Sequence, residues 1–205
     1  MATTTPNYGW DVPTSSDYVK DGATAIETLG DDIDATLGVA LNNKLHAGLV
    51  LVKTQTIGTA VSSVTVTGAF SATYDAYKII ITGGAGSAGD VPVNLRLGST
   101  TSNYFSSTIY AAYSSTTLGN TQNSFGSSFR YAGAMDSGGI YVVFDLLNPF
   151  LTKHTIIRGS INDTQTAGTM NGKLVNTTSY TDFTFLAETG TMTGGTIAVY
   201  GYAKD

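Results

Sequence analysis

The one formal signature of cofactor chemistry is Gly84-Ala85-Gly86-Ser87-Ala88-Gly89, a GxGxxG run directly after the strand-like segment 78–82. In a dinucleotide site such glycines open a helix whose N-terminus meets the pyrophosphate, and an acid about 20 residues on holds the ribose. Here Asp90-Val91-Pro92-Val93-Asn94-Leu95 follows, which reads as a strand, and no acid lies between Asp90 and Asp136. A loop between strands accounts for the glycines. Nucleophilic and metal chemistry lack their residues as well. There is no cysteine, and the two histidines, His46 and His154, have no ligand-type company at short spacing. Zinc needs three or four such ligands. No GxSxG elbow positions a serine. Glycoside hydrolysis needs two carboxyl groups facing each other across a sugar. After residue 46 the acids are Asp75, Asp90, Asp136, Asp145, Asp163, Asp182, Glu188 and Asp205, mostly beside turn-forming residues. Turn formation explains them better. Calcium needs clustered oxygen ligands, and none cluster in sequence. The expectation is a protein without catalytic residues, cofactor or metal.

Composition points the same way. Of 205 residues, 41% are hydrophobic, enough for a real core. Only 12% are charged, about half the usual share. Glycine (24) and threonine (33) supply turns and strands instead. The net charge of −5 lies wholly in residues 1–46, which hold seven acids against two lysines. The remainder has eight acids and eight bases. Without a basic patch, nucleic acid is not an expected partner. No apolar run has the length of a membrane span, and the start MATTTPNYGWDV is not a signal peptide.

The elements that would position functional groups fall into two domains. In 1–46, Pro6 and Pro13 disfavour helix before them, so residues 1–16 read as an extended arm. Tyr8, Trp10 and Val12 alternate along it. Trp10, the only tryptophan, suggests docking on a partner, given the aromatic bias of interfaces. Tyr8, Trp10, Val12 and Pro13 are the docking candidates. Residues 17–42 read as a helix capped by Ser16 or Asp17. Val19, Ile26, Leu29, Ile33 and Leu37 form its apolar seam, and Val19, Ile26, Ile33 and Ala40 keep a heptad. Gly22, Gly30 and Gly38 each weaken a lone helix by about 1 kcal/mol, so it needs a partner.

In 47–205 the pattern is β throughout. Strands are expected at 49–57, 63–70, 77–82, 91–97, 106–113, 140–147, 155–161, 174–177, 181–187 and 196–202. Several alternate, as strands with one buried face do. Strands without intervening helices mean a sandwich or barrel. The fold class is therefore mainly β: an antiparallel, jelly-roll-like β-sandwich preceded by an extended arm and one helix. The stretch 98–139 is poorly patterned and reads as long loops. Its aromatics, including Tyr104, Phe105, Tyr110, Tyr113, Phe125 and Tyr131, are candidate receptor contacts.

One resemblance goes further. Trp10-Asp11-Val12-Pro13-Thr14-Ser15-Ser16-Asp17 followed by Val19 to Asp34 fits W-x-x-P-T-x-x-D and V-x-D-G-A-x-A-I-x-x-L-G-x-x-I-D. It resembles the start of many bacteriophage tail-fibre, minor-tail and head-fibre proteins. More loosely, Tyr74-Asp75-Ala76-Tyr77, Leu95-Arg96-Leu97 and Asn103-Tyr104, with the closing 195–202, are similar to jelly-roll domains of phage fibres and spikes. The resemblance implies a homotrimer, made in a host cytoplasm and carried on the virion. Its N-terminus would attach to a capsid, portal or tail protein. The sandwich would face outward, with a host-surface glycan as a further partner. Unlike many fibres the chain has almost no shaft. That favours a short fibre or spike, with a capsid decoration protein as the alternative and a polysaccharide depolymerase behind both.

Overall fold

The computed structural model describes residues 3–14, 18–45 and 48–204. Ser16, Asp17, His46 and Asp205 lie outside the described residues, as does the side chain of Val19. The chain forms two compact units, Met1–Ala47 and Gly48–Asp205.

The first unit begins with β1 (Thr3–Thr4) and β2 (Asp11–Val12). They pair antiparallel, Thr3 opposite Val12 and Thr4 opposite Asp11. The arm thus folds back on itself as a hairpin. Its loop closes where the Thr5 N–H donates to the Trp10 carbonyl (2.8 Å) and the Gly9 N–H to the Thr5 carbonyl (3.0 Å). Helix α1 (Val19–Leu45) follows, 27 residues long, or about 40 Å. It runs three residues beyond its expected end. Gly22, Gly30 and Gly38 lie within it, and a Cβ added at any of them meets nothing within 4 Å. Among the described residues no helix is long and apolar enough to cross a membrane.

The second unit is built from β3 (Leu49–Thr56), β4 (Ser63–Val66), β5 (Ala76–Thr82), β6 (Ala85–Gly86), β7 (Val91–Leu97), β8 (Tyr104–Ala112) and β9 (Leu118–Gly126). Then come β10 (Phe129–Asp136), β11 (Gly139–Leu147), β12 (Thr155–Asn162), β13 (Thr166–Leu174), β14 (Phe183–Ala187), β15 (Met192–Thr193) and β16 (Thr196–Tyr202). Every ladder among them is antiparallel. One layer has the order β4-β14-β7-β10, the other β3-β16-β5-β11-β12-β13-β8-β9. The two are joined where β10 pairs the first residues of β11. The chain switches layers repeatedly, from β3 to β4 to β5 to β7 to β8, which is the jelly-roll-like sandwich expected.

The core fills the space between the layers. On β11, Ile140, Val142, Phe144 and Leu146 are buried while Tyr141 and Val143 are exposed, the alternation the sequence predicts. Phe183 and Phe185 of β14 are fully buried. Phe144 meets Phe185 edge-on across the layers, ring centroids 6.1 Å apart. Tyr104 meets Phe129 in the same way at 4.9 Å.

The expected glycine loop is backbone packed on backbone. β6 pairs β15, and a Cβ on Gly84 (φ +78°) would stand 2.6 Å from the Gly194 carbonyl oxygen. Strand β7 follows directly, where a dinucleotide site needs a helix.

Within 98–139 the strand expected at 106–113 is present as β8. The reading of the rest as long loops is overturned, because most of it is β9 and β10. The expected strand at 174–177 is also displaced: β13 spans Thr166–Leu174 and pairs β12 and β8 along its length. Both segments are rich in Ser, Thr, Asn and Gly, whose small polar side chains hide the alternation of a sheet strand.

Candidate functional site

In the first unit the docking candidates sit at or beside the hairpin loop. Tyr8 is in the turn, not in a strand, and is exposed. Its ring stacks on that of half-buried Trp10, centroids 5.0 Å apart and planes 16° apart. The Trp10 N–H donates to Thr5 Oγ1 at 3.0 Å, which fixes the loop under the pair. Val12 lies in β2, half-buried like Pro13 beside it. On α1, Ile26 and Leu37 are 65% and 53% exposed, while Leu29 and Ile33 are half-buried. Much of the apolar seam is therefore uncovered in the single chain.

In the second unit the receptor-contact candidates separate. Tyr104 is fully buried, and its hydroxyl accepts the Leu97 N–H at 2.8 Å. Burial pushes its pKa up. It is a core residue, so its assignment as a receptor contact is corrected. Phe105 and Phe125 pair edge-on at 4.7 Å across the β8–β9 hairpin, and Tyr113 stands exposed past β8. Only Tyr110 and Tyr131 come together in a cleft.

That cleft holds about 190 Å³ and is also lined by Asp90, Thr108, Asp163 and Gln165. It lies where the interlayer space opens. Along β8 the alternate positions run Tyr104, Ser106, Thr108, Tyr110, and the first three are buried. All four carry hydroxyls, and the row ends at half-buried Tyr110 in the cleft wall.

A bulge supplies Tyr131. On β10 the pairing with β7 passes from Phe129↔Leu95 to Gly133↔Val93, so four steps on one strand match two on the other. Bulges re-aim side chains. Tyr131 takes a left-handed backbone (φ +60°), which costs a non-glycine residue about 1–2 kcal/mol. Its N–H donates to Asn94 Oδ1 at 3.2 Å. The Arg130 guanidinium lies 4.8 Å over its ring and makes a two-pronged pair with Glu188, Nε to Oε2 at 2.9 Å and Nη2 to Oε1 at 2.8 Å. Arg130 holds the Glu188 carboxyl below its ordinary pKa, and Glu188 raises that of Arg130. Burial raises Tyr131.

The carboxylates of the cleft also hold turns. Asp163 Oδ1 accepts the N–H groups of Gln165 (2.9 Å) and Thr166 (2.5 Å), and Oδ2 accepts the Thr166 hydroxyl at 2.9 Å. Asp90, itself left-handed (φ +53°), accepts the Thr164 hydroxyl at 2.8 Å and the Gln165 amide. The sequence predicts turn formation at Asp163 but gives no sign that Asp90 joins it, 73 residues away in the chain. Elsewhere, Asp136 accepts the Gly138 and Gly139 N–H groups at the β10–β11 turn. Among the described residues no three His, Cys, Asp or Glu side chains are grouped to hold a metal. His154 is exposed just before β12.

No protein-family model matches the chain, and no curated protein or solved structure matches it significantly.

Proposed function

We propose that the protein is a structural component of a bacteriophage virion, a short homotrimeric fibre or spike. On this reading the N-terminal unit attaches to the particle and the sandwich is displayed. The observation that carries it is the make-up of the first unit: a hairpin tipped by stacked Tyr8 and Trp10, then a long helix with Ile26 and Leu37 uncovered. A single amphipathic helix with three internal glycines gains most of its stability from packing its apolar face. Two further copies of itself supply that packing, at the heptad spacing of Val19, Ile26 and Ile33. The W-x-x-P-T-x-x-D arm is the sequence support for virion attachment.

Light scattering on the purified chain tests the trimer. The expected mass is three times the 21.3 kDa of one chain, falling to one chain mass in an Ile26→Asp/Leu37→Asp variant. A stable wild-type monomer removes the seam. Imaging of labelled particles tests the location: density on the virion supports the reading, and particles without the protein end it.

A further inference from the structure

We propose that the cleft between Tyr110 and Tyr131 binds one uncharged sugar unit. The proposal rests on the fibre reading for its class of ligand, a surface glycan, and on the cleft's geometry for the site.

Four separate chain segments meet there: the loop before β7 (Asp90), β8 (Thr108, Tyr110), the β10 bulge (Tyr131) and the β12–β13 turn (Asp163, Gln165). Two of these residues, Asp90 and Tyr131, are left-handed without being glycine. Such strain persists only where surroundings over-determine it, and it gathers at ligand sites. Here the surroundings are specific. Asn94 holds the Tyr131 backbone, and Arg130, clamped by Glu188, caps its ring. Thr108 is buried at the floor of the cleft, while Tyr110 is half-buried, its ring lying over Gly119 of β9.

The chemistry of the walls selects the ligand. Tyrosine rings offer flat apolar faces to the C–H side of a sugar ring. A carboxylate has about four acceptor sites. Asp90 uses two of them on Thr164 and Gln165, so acceptor capacity remains for sugar hydroxyls, which donate. No lysine, arginine or histidine lines the cleft, and Arg130 beside it is committed to Glu188. Two carboxylates without a free cation repel uronic acids, sialic acid and phosphosugars. The volume of about 190 Å³ is below the roughly 300 Å³ at which drug-sized sites begin. It suits a single ring.

The test is saturation-transfer NMR on the full-length chain with glucose, galactose, mannose, rhamnose and N-acetylglucosamine, and with glucuronate and sialic acid as charged controls. At least one uncharged sugar is expected to receive saturation and to shift the Tyr110 and Tyr131 ring signals, with none from the charged controls. Tyr131→Asn keeps a residue that tolerates the left-handed backbone while removing the ring, and binding should fall at least tenfold. Tyr110→Phe removes one hydroxyl and should weaken binding about fivefold, the worth of one neutral hydrogen bond. It keeps the test valid if Tyr131→Asn unfolds. No binding by any uncharged sugar, preference for the charged controls, or unchanged binding in a folded variant overturns the proposal. None of these results bears on the oligomer mass, so the two readings fail separately.

Discussion

Arg130 pairs with Glu188 and lies over the Tyr131 ring, so one ion pair braces the β10 bulge. The pair is about one-third exposed on each side, so solvent screening limits it to about 0.5–1 kcal/mol even with two-pronged geometry. Because the folded Glu188 pKa lies below its unfolded value, that contribution is present above the ordinary glutamate pKa of about 4.3. It is lost as pH falls through the lower, folded value. Asp145 behaves alike. Burial would raise its pKa, but the Tyr202 hydroxyl (2.6 Å), Lys78 and Arg158 outweigh burial and lower it. Thermal midpoints should therefore fall as pH drops below about 4.5, near the unfolded carboxylate values. Glu188→Gln should lower the midpoint at pH 7 and flatten that acid limb; parallel curves for the two proteins would refute the assignment. A second residue is decided by space. A Cβ on Gly133 would lie 2.4 Å from Val142 Cγ2 and 2.5 Å from the Tyr141 carbonyl oxygen. Gly133→Ala should cost about 1–3 kcal/mol by overpacking, read in urea unfolding. The aromatic richness of 98–139 is visible in the sequence, and so is Tyr131. What is not visible is the β10 bulge that turns Tyr131 toward Tyr110, because a bulge is set by pairing with β7 rather than by local residues.

At the scale of elements, the strands legible in the sequence are those with large apolar residues on one face. β5, β11, β14 and β16 alternate, and they stand close to where the pattern puts them. The three overlooked strands each break that pattern for a physical reason. β9 closes one end of its sheet and is exposed or half-buried throughout. β10 joins the two layers, so Ala132, Gly133, Ala134 and Met135 are buried in succession. β13 packs Gly168 and Gly172 so close to β8 that a Cβ would fall 2.3 Å from the Ile109 carbonyl oxygen and 2.8 Å from that of Phe105. Those glycines read as turns in sequence but are contact points in the sheet. The helix, by contrast, was legible from its seam and differs only at its ends. Its glycines give a prediction. Gly38 stands opposite the Val19–Ile26–Ile33 row in the heptad, with nothing within 4 Å of an added Cβ. Gly38→Ala should stabilise the helix by about 1 kcal/mol without changing the oligomer, seen as a higher helical melting midpoint by circular dichroism. An unchanged midpoint, or a smaller particle mass, would contradict that placement.

For the whole molecule, charge and burial divide along the same line. The fully buried apolar residues run from Ile57 to Val199, and among the described residues none belongs to the first unit. All of the −5 charge, however, belongs to residues 1–46. The sandwich therefore has a core of its own but no net charge of its own. A fragment of residues 48–205 should fold cooperatively, with a urea midpoint close to that of the sandwich transition in the full chain, because no core contact has been removed. It should run as a single chain mass in light scattering, because the helix that carries the proposed seam is gone. It should also be less soluble than the full chain near neutral pH, where a protein without net charge associates most readily. The three readouts separate the contributions of the first unit. Loss of a cooperative transition would show that the sandwich needs the helix to fold. A trimeric fragment would move the oligomer interface onto the sandwich, where Leu49, Leu51, Tyr141 and Val143 stand exposed. A soluble, folded, single-chain fragment would leave association to the helix and remove the acidic segment from any role in keeping the sandwich in solution.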